Sequence, residues 1–237
     1  LLPPLTAWQA ERGFPLDLYT EASVNLAHDQ KLVRGMVAAG FGSVFLGIES
    51  PSAAALAEAK KGQNLRIDLR QAVDSLTEAG LEVMAGFIVG FDSDTEGAAE
   101  DMRRFVAESP IPLAMVGLLI ALPGTALWRR LAATGRLRAP GSGDPFGRPN
   151  FEPVMDEERL LRSYRDLLCD LYSPEGYLRR CEAYLARRPR PAVRTRSRPG
   201  GILIFLRAIV ILGVWSERRR FFWRLLIRAV RCSFWNL

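Results

Sequence analysis

The sequence has 237 residues, 49% of them hydrophobic and 24% charged, with mean hydropathy +0.03. That is enough chain for one large domain, or one domain and an appendage, and it excludes a disordered, collagen-like or polytopic membrane protein. The net charge of +6 is unevenly spread, with 25 acidic and 19 basic residues through Glu182 but 1 acidic and 13 basic from Ala183 onward. A mildly acidic body therefore carries a strongly basic tail suited to anionic partners.

The chain opens on Leu1 inside a helical pattern and reads as a fragment of a longer protein. Up to residue 150, short apolar runs alternate with amphipathic stretches, the pattern of βα units feeding a parallel sheet. Strands are expected at Leu16–Thr20, Ser43–Ile48, Glu82–Gly90 and Leu113–Ala121. Helices are expected at Asp29–Ala39, Ser52–Ala59, Asp68–Ala79, Thr95–Glu108 and Ala126–Thr134. Gly40, Gly80 and Gly135 punctuate helix ends, where a left-handed residue is accepted. The segments AAGFGSVFLGIE and EAGLEVMAGFIVGF repeat one βα unit weakly. A doubly wound sheet and a whole or partial βα barrel both accommodate such units.

A Gly- and Pro-rich loop, Ala139–Pro153, closes this region, and two helices split at Ser173-Pro174 follow, with Asp156 as the first N-cap. Residues 188–200 form a basic, Pro-broken linker. Two apolar segments carrying arginines end the chain. Ile202–Trp215, which includes Arg207, falls short of the roughly 20 apolar residues a membrane span requires. Phe221–Phe234 has the composition of an interfacial helix. The expected units are 1–138, 139–187, 188–200 and 201–237.

Cys169, Cys181 and Cys232 are too few and too scattered for a disulfide framework, and none belongs to a CxxC or CxxxCxxC group, so reduced thiols and a cytoplasmic location are expected. Chemistry concentrates at the strand ends. Glu21 with Ser23, Glu49 with Ser50, Asp92 with Ser93 and Asp94, and Pro123 with Gly124 and Thr125 follow four successive strands, and a barrel would gather these ends at one mouth. Carboxylates such as Glu21 and Glu49 are costly to hold there unless they bind hydroxyls or an amine. Backbone N–H groups, Arg12 or Arg34 are the alternative partners. Gly86 and Gly90 either let a flat ligand approach the backbone or relieve crowding between sheet and helix. His28 at a helix start, Lys60 and Lys61 in a solvated loop, and Tyr164, Tyr172, Trp128, Trp215, Trp223 and Trp235 as packing residues are the plain expectations.

The motifs YTEASVNLAHD, VFLGIES, KKGQN, GLEVMAGFIVGFDSDT and AMVGLLIALPGTALWRRL, in this order and spacing, resemble the second half of the radical S-adenosylmethionine (SAM) core of cobalamin-binding-domain radical SAM proteins, a group that includes the hopanoid methylases. The likeness continues through FEPVMDEERLLRSYRDLLCDLYSPEGYLRR into the helical C-terminal extension of that group. The resemblance implies an α/β fold, the second half of a partial (β/α)6 barrel followed by an α-helical extension, with SAM across the strand ends. It further implies that Glu49 and Ser50 contact the ribose, that Glu21 and Ser23 lie near the methionyl amine, and that the strand from Gly86 through Gly90 to Phe91 lines the adenine edge. Ser93 stands where the family carries an acidic residue. The cobalamin domain and the CxxxCxxC loop that holds a four-iron four-sulfur (4Fe-4S) cluster are not in this chain, so the chain alone is expected to be inactive.

Two functions follow from this. One is the C-terminal part of a cobalamin-type radical SAM methyltransferase or related C–H functionalising enzyme, acting on a small-molecule or lipid-like substrate. The alternative is a noncatalytic barrel remnant docked peripherally on anionic membranes through residues 201–237. Nucleic acid is not expected as a partner.

Overall fold

Apolar side chains at every second position build four parallel strands, β1 (Leu18–Ala22), β2 (Phe41–Glu49), β3 (Glu82–Val89) and β4 (Ala114–Leu118). The computed structural model describes residues 1–138, 147–189 and 201–234. The strands lie side by side in chain order, β1-β2-β3-β4. Such sequential order has no switch point and removes the doubly wound alternative among the described residues. Residues 139–146 of the expected loop, most of the linker and Trp235 lie outside the described residues.

The α-helices among the described residues are α1 (Leu2–Glu11), α2 (Gln30–Ala38), α3 (Ala53–Glu58), α4 (Leu69–Glu78), α5 (Ala98–Glu108), α6 (Ala126–Ala133), α7 (Glu157–Leu171), α8 (Pro174–Arg187), α9 (Gly201–Ala208) and α10 (Arg219–Phe234). Their starts are chemically marked. Asp29, Ser52, Asp68, Thr125, Asp156 and Ser173 each accept a hydrogen bond from a backbone N–H two or three residues on, at α2, α3, α4, α6, α7 and α8 respectively. Each such cap contributes about 1 kcal/mol.

One face of the sheet is closed. Val44, Leu46 and Ile48 of β2, Val83, Ala85, Phe87 and Val89 of β3, and Ala114, Val116 and Leu118 of β4 are buried in one core. Val33 and Met36 of α2, Val73 and Leu76 of α4, Met102, Phe105 and Val106 of α5, and Leu160, Tyr164, Leu167 and Leu171 of α7 complete it. The opposite face is open among the described residues, with Tyr19 69% and Met115 46% exposed. Parallel sheets are ordinarily covered on both sides, so this face is the structural surplus of the chain.

The outer edge of β4 is finished by side chains. Tyr164 donates its hydroxyl to the Val116 carbonyl at 3.0 Å, and Tyr172 donates to the Ala114 carbonyl at 2.8 Å. The two tyrosines are thus core and rim residues whose polar tips satisfy alternate carbonyls of an edge strand. Helix α8 packs at the opposite end of the sheet from the strand C-termini. Its Arg180, 1% exposed, donates to the carbonyls of Ile111 and Pro112 just before β4 and to that of Leu171. No helix among the described residues is long and apolar enough to cross a membrane.

Candidate functional site

At the C-terminal ends of β2, β3 and β4 lies a cavity of about 570 Å³, lined among others by Glu49, Glu58, Lys60, Lys61, Phe91 and Arg130. Its apolar wall comes from Ile88, Phe91, Leu119 and Leu127. The local sequence explains this shape. The pairing register slips between Gly47 and Glu49, and Glu49 takes φ 67°, the left-handed region that few non-glycine residues occupy. Asn64 fixes the slip, since its buried amide donates to the Gly47 carbonyl at 3.1 Å and the Ile48 carbonyl at 3.0 Å. The bend turns the Glu49 carboxylate back over Gly47, where an added Cβ would sit 2.9 Å from Glu49 Oε1. There Lys61 Nζ meets Glu49 Oε1 at 2.8 Å.

The loop after β3 is held by carboxylates from two directions. Asp94 Oδ2 accepts from the backbone N–H of Gly90 at 2.8 Å and of Phe91 at 3.1 Å. Glu58, from α3, accepts from the N–H of Asp92 at 3.3 Å and of Ser93 at 2.9 Å, and from Arg130 of α6 at 2.8 Å. Asp92 is gripped in a bidentate pair by Arg136, at 2.7 and 2.8 Å. Burial alone would raise the Glu58 carboxyl, but the Arg130 bond and the donors from Ser93 and Asp92 outweigh it and hold the group below its ordinary value. The Arg136 hydrogen bonds hold Asp92 low as well. Asp94 goes the other way, pushed up by burial against its two backbone donors. The far wall is braced by Asn150, whose side-chain amide pairs with both the N–H and the carbonyl of Ala121, at 2.9 and 2.8 Å.

The residues expected from sequence are distributed unequally around this cavity. Glu49 and Phe91 line it. Glu21 is exposed on β1, and its register partner Phe45 is two residues before Gly47 on β2; it lies outside the cavity lining. Ser23 is also outside and caps a short 3-10 turn, Val24–His28. Ser50 is buried, and its hydroxyl accepts from the Ser52 N–H at 3.1 Å. Gly86 makes room for a side chain of the protein itself, because an added Cβ would lie 2.9 Å from Phe45 Cζ. Gly90 takes φ 100° to turn the chain into the Asp94-held loop.

Two expectations are corrected. The partner of Glu49 is Lys61, and Arg12 pairs instead with the neighbouring Glu11. Lys60 and Lys61 do lie in a solvent-facing turn, and from it they also line the cavity. Trp215 does not pack, being 76% exposed. The sequence reading missed Glu58, Arg130 and Asn64. Asn64 had a visible signal, the Gly-Gln-Asn turn after two lysines, whereas nothing local marks a glutamate on α3 or an arginine on α6 as facing one strand end.

The described residues hold no group of three or more His, Cys, Asp or Glu side chains suited to a metal ion. Cys169, Cys181 and Cys232 lie apart on α7, α8 and α10, and no disulfide joins them. A 4Fe-4S cluster therefore has no ligand set among the described residues.

A domain of unknown function (DUF4070) matches residues 125–236. An uncharacterized methyltransferase of Synechocystis sp. is 39% identical over 229 residues, covering 94% of this chain and 42% of that protein. The hopanoid C-2 methylase of Rhodopseudomonas palustris is 32% identical over 238 residues, covering 97% of this chain and 44% of its own length. The bacteriochlorophyllide d C-8(2)-methyltransferase of Chlorobaculum tepidum is 23% identical over 170 residues, or 64% of this chain and 37% of its own. The chain thus spans less than half the length of each of these relatives.

Proposed function

From the similarity to the hopanoid C-2 methylase and its methyltransferase relatives, we propose that the chain belongs to the hopanoid-methylase-like group of radical SAM proteins, that its four strands are the second half of a partial (β/α)6 barrel and that the cavity at their C-terminal ends binds SAM. The observation that carries this reading is Glu49, a carboxylate held in a strained backbone conformation at a cavity with one apolar wall and a charged rim. Strain of this kind, about 1–3 kcal/mol, persists where surrounding structure over-determines it, and it clusters at ligand sites. Lys61 takes one oxygen of Glu49, which leaves the other to accept from ribose hydroxyls in charge-assisted bonds. Ile88, Phe91 and Leu119 offer an apolar wall for the adenine ring. Lys60 and Arg130 supply positive charge for the methionyl carboxylate. Glu21, on the open face of β1, serves the amine.

The sealed outer edge of β4 supports the barrel reading, since a terminal strand whose carbonyls are occupied by tyrosines has no need of a seventh neighbour. The whole protein is then a methyltransferase in which a 4Fe-4S cluster and cobalamin, held elsewhere, supply the radical and methyl-transfer chemistry on a small apolar or lipid-like substrate. This chain binds and orients SAM and excludes water from its adenine side.

Equilibrium dialysis of the chain with labelled SAM tests the assignment. Glu49→Ala is expected to weaken binding roughly 10- to 100-fold, the worth of charge-assisted hydrogen bonds. Equal affinity in the variant, with its fold intact by circular dichroism, would remove Glu49 from the site.

A further inference from the structure

The C-terminal hairpin has a surface that the fold does not use. Helix α9 runs directly into a π-helical stretch, Ile209–Trp215, and between residues 201 and 215 the only charge is Arg207. Ile202, Leu203, Ile204, Phe205 and Leu206 are between 48% and 77% exposed, and Val214 and Trp215 are 54% and 76% exposed. A helix apolar on all sides is stable only inside a core or a lipid phase, and such an exposed patch marks an interaction surface. Fifteen residues at about 1.5 Å each reach roughly 22 Å, short of the ~30 Å hydrocarbon layer.

The return helix carries the opposite chemistry. Arg220, Arg224, Arg228 and Arg231 recur at spacings of four, four and three, so they share one face of α10. With Trp223, Ile227 and Glu182 they line a cleft of about 530 Å³. Like charges at this spacing destabilise a helix, and the fold compensates only part of the stripe. Arg224 pairs with Glu182 of α8 at 3.0 Å and Arg220 lies 3.8 Å from Glu175, while Arg228 and Arg231 have no acidic partner among the described residues. The hairpin itself is closed tightly. Trp223 Nε1 donates to the Gly213 carbonyl at 2.9 Å, and a Cβ on Gly213 would meet Phe222 at 3.0 Å. The π-helical stretch is therefore fastened to α10, which carries the arginine stripe.

We propose that this hairpin docks the protein on the surface of an anionic phospholipid bilayer, α9 and Ile209–Trp215 entering the acyl boundary and the α10 arginines taking headgroup phosphates. A bilayer surface is the partner whose two chemistries, apolar and anionic, lie in adjacent layers. A folded protein partner would have to supply an apolar groove beside an acidic row. The hairpin hangs on α8 at the end of the sheet opposite the SAM cavity. Docking is thus independent of the proposed SAM site, and the two readings stand or fall separately.

The test is co-sedimentation of the full chain with vesicles of phosphatidylcholine alone and of phosphatidylcholine mixed with phosphatidylglycerol. Binding to the anionic vesicles is expected, falling with salt but not to zero, because apolar insertion is not screened. Removing two charges, Arg228→Gln with Arg231→Gln, is expected to weaken it roughly 30-fold, about fivefold for each arginine. Ile204→Asp with Phe205→Asp, at exposed positions that leave the core intact, should abolish the salt-resistant part. SAM affinity should be unchanged in both variants. Absence of binding to either vesicle overturns the proposal. So does binding that salt removes completely and Ile204→Asp leaves untouched, which would indicate a phosphate-binding stripe alone. A vesicle-free dimer that Ile204→Asp converts to monomer, without lipid binding, would give the face to a second copy of the chain.

Discussion

Glu49 concentrates the physics of the proposed site in one residue. Its φ of 67° costs what a non-glycine residue pays in the left-handed region, and its carboxylate is returned only one ion pair, with a Lys61 that is itself partly exposed. Partly exposed pairs contribute about 0–1 kcal/mol. Glycine at this position would therefore relieve more than it loses. Glu49→Gly is expected to raise stability by about 1 kcal/mol while weakening SAM binding as Glu49→Ala does. Urea denaturation of the two variants measures this directly. A Glu49→Gly chain less stable than Glu49→Ala would show that the conformation is unstrained. The motif around Glu49 was legible from sequence because a carboxylate ending an apolar strand is conspicuous. Its partner was not, because the slip after Gly47 that brings Lys61 over the strand depends on Asn64, 15 residues on.

At the scale of elements, the mouth is assembled by α3, α6 and the loop after β3 gripping one another through Glu58, Asp92, Arg130 and Arg136. The periodicity that places Val44, Leu46 and Ile48 on one face is visible in the sequence, as are the Ser, Thr and Asp caps that start the helices. Which polar groups cross between elements is not visible, because those contacts join residues 34 to 72 positions apart. These bonds give the mouth a pH signature. Glu58 and Asp92 titrate below their ordinary values of about 4.3 and 3.9. Their contribution is complete above those values and is lost as pH falls through the lowered ones. Asp94, raised by burial, contributes with the opposite sign, present below its ordinary value and lost as pH rises through the raised one. Replacing Glu58 isolates its share. The stability gap between the wild-type chain and Glu58→Gln, followed by urea midpoint, is expected to be widest above the ordinary glutamate value of about 4.3 and to narrow as pH falls below it. A gap constant across that range would mean that Glu58 stabilises through shape and not through charge.

Across the whole molecule, charge and exposure divide the labour. The acidic body presents an open sheet face and a cavity at the strand C-termini; the basic tail presents an apolar arm and an arginine stripe at the other end. Between them α8 is the joint. Its buried Arg180 has three backbone carbonyls as partners and the rings of Tyr172 and Tyr177 at 5.5 and 5.9 Å, and burial lowers its pKa. The composition split at residue 182 and the alternation of strands with helices were legible in the sequence, but an arginine buried without a carboxylate gives no sign of itself there. The central claim is that SAM occupies the ends of β2, β3 and β4. Hydrogen–deuterium exchange of the chain with and without SAM tests it most directly. Protection confined to residues 47–50, 58–64 and 88–94, with the α8 and α10 peptides unchanged, is the predicted result; protection elsewhere with these segments unaltered would contradict the account.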